Sequence, residues 1–120
     1  MNIYCIVDSN GNVTTLFGGP QNPPTPTGYT VMQDTDARYQ VYLVTQQWRA
    51  FQQQAQALLT KSDQTVKRVL EGISLGTCVA TNADVQAYMN WRKTLRNFLT
   101  ITQPSIIPAM PVEPPYPQGT

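Results

Sequence analysis

The chain has 120 residues, a net charge of +1, 12% charged residues and no histidine. That length fits one small domain with a modest core and little stability margin. Sparse, balanced charge excludes the basic footprint of a nucleic-acid binder and the Lys/Arg-rich face of a membrane-surface helix, so neither partner is expected.

In chain order, residues 3–17 read as a β-hairpin. "IYCIV" and "VTTLF" are β-branched and aromatic, and the "DSNGN" between them holds the Asn10-Gly11 pair that favours positive φ in a tight turn. "GGPQNPPTPTG" follows, with prolines that suit neither helix nor central strand. "YTVMQ", Tyr29 to Gln33, then reads as a third strand.

From Asp36 the apolar residues Ala37, Val41, Val44, Trp48, Phe51, Ala55 and Leu58 alternate in steps of four and three. This is the spacing of a helix whose seam faces another helix. Asp34 or Thr35 is the expected cap, with Asp36 in the first turn. An intermolecular coiled coil, and hence a homo-oligomer, or an intramolecular helical hairpin satisfies the seam equally.

"KSDQ" reads as a kink or restart, with Ser62 as N-cap and a second helix from about Asp63 to Glu71. Its stripe is Val66, Val69, Leu70 and Ile73, and Gly72 and Gly76 end it. Asn82 is placed to cap a further helix, "ADVQAYMNWRKTLRNFLT", with Val85, Tyr88, Trp91, Leu95 and Phe98 on one stripe. Arg92 and Arg96 lie one turn apart on an adjoining face. An ion pair of Asp63 with Arg92 or Arg96 would fix how the helices dock, with Arg68 as the local competitor. The alternative is that Asp63 only favours its own helix start.

"QPSIIPAMPVEPPYPQGT" holds six of the ten prolines and reads as extended. With Ile106, Ile107, Met110 and Tyr116 as anchors, it is expected to dock on a neighbouring chain rather than on its own helices, and composition alone allows a disordered tail equally. The organisation is therefore α+β: β elements and a Pro-rich linker over 1–33, helices over 34–103 and an extended tail over 104–120.

Side chains that carry chemistry are few. The absence of histidine removes the commonest general base and metal ligand. No pair among the seven carboxylates has a spacing suited to acid–base work. Gly18-Gly19 precedes prolines, not a helix, so it is no phosphate cradle. Cys5 and Cys78 match no metal or redox spacing. Cys5 lies in an apolar strand pattern and is expected as a buried thiol, with a Cys5–Cys78 disulfide left open. The expectation is a non-enzymatic protein with no cofactor and no metal. "MNIYCIVDSNG" has no basic leader and no segment suits a bilayer span, so the expected location is a cytoplasm or a particle assembled there.

One ordered set of residues carries a resemblance. Leu58, Leu59, Ser62, Asp63, Thr65 and Arg68, then Trp91, Arg92, Leu95 and Arg96, then Tyr116, Pro117, Gly119 and Thr120 follow a pattern similar to that of the tail-fibre assembly proteins of tailed bacteriophages. The approach to the last helix, "TCVATNADVQAYM", departs from that pattern in lacking proline and tryptophan. The resemblance implies a chaperone-like virion assembly protein that binds a phage tail-fibre or tail protein through its helices and tail, in the host cytoplasm. The alternative is a structural subunit retained in the virion at the tail, fibre base or baseplate. Val41, Val44, Trp48, Phe51, Leu58, Trp91, Leu95 and Tyr116 are the expected partner-binding or helix-seam residues, and Asp63, Arg92 and Arg96 the expected structural ion-pair set.

Overall fold

A computed structural model describes residues 1–120. The elements are β1 (Asn2–Val7), β2 (Val13–Phe17), β3 (Tyr29–Gln33), α1 (Ala37–Leu75) and α2 (Ala83–Phe98), an α+β arrangement. No helix is long and apolar enough to cross a membrane. The chain forms two compact units, Met1–Trp48 and Arg49–Thr120, and the boundary between them falls inside α1. The reason is that the first turns of α1 complete the core of the sheet, while its later turns pair with α2.

In the first unit, β1 is central and antiparallel to both neighbours, in the order β2-β1-β3. Gly11 has φ 83°, and Asp8 Oδ1 accepts from the backbone N–H groups of Asn10 and Asn12, both at 2.9 Å, which closes the β1–β2 turn. Ile3, Cys5, Val13 and Met32 form the buried face, covered by Tyr39 and Tyr42 of α1. Burial raises the pKa of the Cys5 thiol. Cys5 and Cys78 are both free thiols, so the disulfide left open by the sequence is absent.

Two expectations about the start of α1 need correcting. The cap is Asp36, not Asp34 or Thr35: its Oδ1 accepts from the Arg38 N–H at 2.9 Å, and its carboxylate grips the Arg38 guanidinium through two further bonds. The hydrogen bond from the Arg38 side chain holds the Asp36 carboxyl below the usual range. Val41 is 58% exposed and Val44 only half-buried, because the tyrosine pair one helical turn apart takes the side facing the sheet.

In the second unit, α1 and α2 run antiparallel. Phe51 meets Phe98 edge-on at 4.9 Å between ring centroids, Leu59 packs near Trp91, and Val69 packs with Val85. The restart expected at Ser62 does not occur. α1 is one helix of 39 residues. The Ser62 hydroxyl donates to the Leu59 carbonyl at 3.0 Å, which satisfies it inside the helix and removes the reason to stop there.

The heptad seam consequently runs further than its apolar part. Trp48, Ala55, Ser62 and Val69 occupy one position of the repeat, and Phe51, Leu58, Thr65 and Gly72 the other. All are buried except Leu58, which is half-buried against the same core. Gly72 therefore lies within the helix and does not end it. The end is at Gly76, φ 77°, where the N–H groups of Thr77 and Gly76 return to the carbonyls of Gly72 and Ile73, at 2.8 and 3.2 Å.

Candidate functional site

The second unit is held by a polar lock and a strap. The lock sits where the seam of α1 turns polar. Arg92 on α2 is almost enclosed, and its Nη1 donates to the Leu59 carbonyl at 3.0 Å and to the Ser62 hydroxyl. Its Nη2 donates to Asp63 Oδ1 at 2.8 Å. One forked, planar cation thus reads a backbone carbonyl, a hydroxyl and a carboxylate along one turn of the facing helix, which a flexible ammonium could not do in the same geometry. Ser62 is small enough to leave room for the guanidinium in the seam. Arg96, one turn further along α2, is exposed and is not the partner of Asp63; neither is Arg68.

The strap is the C-terminal segment. Contrary to the expectation of a tail with little contact to its own helices, it lies along them. Met110 joins the core cluster of Ala55, Leu59, Tyr88, Trp91 and Leu95, and Pro117 is buried. Trp91 Nε1 donates to the Pro111 carbonyl at 3.3 Å, and the Tyr88 hydroxyl donates to Glu113 Oε1 at 2.8 Å. Nearer the end, the Gln118 N–H donates to Asp84 Oδ2 at 2.8 Å, and the Thr77 hydroxyl donates to the Gly119 carbonyl at 3.0 Å.

Two glycines make this approach possible. Gly119 has φ 84°, and a Cβ there would overlap the Thr77 carbonyl. A Cβ on Gly72 would stand 2.8 Å from Cys78 Cβ and 2.9 Å from the Gly119 carbonyl oxygen. The helix interior, the α1–α2 turn and the end of the strap meet at that point. Burial raises the Tyr88 pKa, while a hydrogen bond from Thr65 acts in the other direction. Every buried side-chain polar atom has a hydrogen-bond partner.

The residues expected as a partner-binding surface or seam thus divide. Trp48, Phe51, Trp91 and Leu95 are buried in the chain, and Leu58 packs on the same core as Trp91 and Leu95. For the second unit, pairing of α1 with α2 meets the seam's requirement as an intramolecular hairpin. Tyr116 is 60% exposed, with its ring 6.2 Å from that of Tyr88, so its position as an anchor is on its own chain. Sequence reasoning missed Glu113, Asp84, Thr77 and the role of Gly119. The available signals were that Glu113 is the sole acid among the six tail prolines and that Tyr88 carries a hydroxyl in an otherwise apolar stripe. No family model, curated protein or solved structure matches the chain.

Proposed function

We propose that the chain is a non-enzymatic tail-fibre assembly protein of a tailed bacteriophage. It acts by covering apolar surface or strand edges of an unfinished tail-fibre or tail protein, which otherwise aggregate. The observation that carries this reading is that residues of the resemblance, scattered in sequence, belong to one packed unit. Leu59, Ser62 and Asp63 meet Arg92, while Trp91, Leu95 and Gly119 hold the core and the strap.

The strap is engaged on its own helices, which leaves the helical surface to bind the fibre. Leu70, Leu75 and Val79 stand exposed near the end of α1 and supply apolar contact area. Co-expression with the tail-fibre protein of the same genome, followed by pull-down and sizing, tests the reading. The chain is expected to co-purify with the fibre protein and to be required for its solubility. A fibre protein that stays soluble alone and captures no chain would refute it. Near-stoichiometric recovery of the chain from purified virions would instead identify a structural subunit at the tail, fibre base or baseplate.

A further inference from the structure

The strap is held by groups that form a recognition surface in their own right. Tyr88 and Trp91 present adjacent rings, 5.3 Å between centroids, and the indole N–H points at a proline carbonyl. Aromatic-lined grooves with such a donor are how folded domains bind extended proline-rich peptides. The Tyr88 hydroxyl adds selectivity by donating to a carboxylate. Asp84 and Thr77 fix the far end through the backbone of Gln118 and Gly119. None of these groups belongs to the strap.

The tether differs from the strap it carries. Residues 102–109 form no helix or strand and make no hydrogen bond, and Thr102, Gln103, Ser105, Ile106 and Ala109 are exposed. Release at this hinge would leave the groove intact, and the same contacts could form again with an identical strap from another molecule. The prolines limit the conformational freedom lost on docking.

We propose that the surface formed by Asp84, Tyr88 and Trp91 of α2 with Thr77 of the α1–α2 turn is a recognition groove for an extended, acidic, proline-rich segment, and that it accepts residues 110–119 of a second copy of the chain as well as its own. The proposal does not depend on the assignment to fibre assembly. It gives copies of the chain a means of linking by strap exchange.

The test uses the full chain and a labelled synthetic peptide of residues 109–120. A chain carrying Glu113→Ala and Gly119→Ala has a weakened strap and an unaltered groove, and its helical circular dichroism establishes that it is folded. The peptide is expected to bind this chain at least tenfold more tightly than the unaltered one, and a peptide carrying Glu113→Gln to bind more weakly. On the unaltered chain, a large excess of peptide is expected to enter slowly, at a rate set by strap release and independent of peptide concentration. That second arm decides the matter if the double variant does not fold. Absence of peptide uptake by the folded double variant, or by the unaltered chain where only that can be used, overturns the proposal.

Discussion

Arg92 and Asp63 meet at 2.8 Å, but they are unequal partners: the arginine side chain is 11% exposed and the aspartate 58%. The arginine therefore depends on its other bonds, to the Leu59 carbonyl and the Ser62 hydroxyl, which are buried with it. The carboxylate contributes direction and charge at the rim, where solvent screens it.

This asymmetry gives a first prediction. Arg92→Met removes donors from two buried acceptors and should destabilise the protein by about 2–3 kcal/mol, whereas Asp63→Asn should cost under about 1 kcal/mol. Arg96→Gln should be near neutral, since that side chain is on the surface. Urea unfolding of the three variants checks the ranking. A double-mutant cycle between Asp63 and Arg92 should give a small but measurable coupling, and one between Asp63 and Arg96 none.

A second prediction concerns Gly72. In an open helix interior, Gly→Ala is stabilising by about 0.5–1 kcal/mol. Here the added methyl would crowd Cys78 and the Gly119 carbonyl. The expected outcome is a net loss of about 1–3 kcal/mol, with faster amide exchange at the end of the strap. Stabilisation by Gly72→Ala would mean that the strap does not close over this point.

The seam also has a measurable weight. Phe51 is buried and lies edge-on to Phe98. Phe51→Ala should cost about 3–5 kcal/mol, as expected for an aromatic removed from a close-packed interior. Chemical denaturation against Val41→Ala, at an exposed position, provides the contrast, and the latter should change stability by under about 0.5 kcal/mol.

The hydroxyl of Tyr88 makes the strap sensitive to alkali. Burial raises its folded pKa above the unfolded value. Its contribution is thus complete below the ordinary tyrosine pKa of about 10 and is lost as pH rises through the folded value. Tyrosinate absorbance should show one tyrosine ionising late, together with loss of strap protection. Tyr88→Phe should remove that late titration.

The limits of sequence reading are clearest at particular residues. The hairpin and third strand were legible because β-branched runs and Asn10-Gly11 are local signals. Of the two glycines expected to end the helix, Gly76 does so with φ 77°, whereas Gly72 lies inside it. Continuity of α1 through Ser62 was not legible. A serine that caps a helix and a serine that bonds back to the preceding turn have the same sequence context, and only the presence of Arg92 opposite makes the buried option favourable. Val41 was misplaced because tyrosines contribute as much apolar area as valines when a sheet lies beneath them. The strap was misjudged on composition: six prolines predict an extended chain, but not which surface it will lie on. That depended on Trp91, Tyr88, Asp84 and Thr77, which come together only after α1 and α2 have paired.

Membership of the C-terminal segment in the folded helical unit can be checked by thermal unfolding of a chain ending at Ala109. The truncated chain loses Met110 from the core cluster and leaves Tyr88 and Trp91 without their strap partners. Truncation is expected to lower Tm markedly and to red-shift the tryptophan emission as Trp91 gains water. An unchanged Tm with unchanged emission would contradict that membership and would make the segment a free tail.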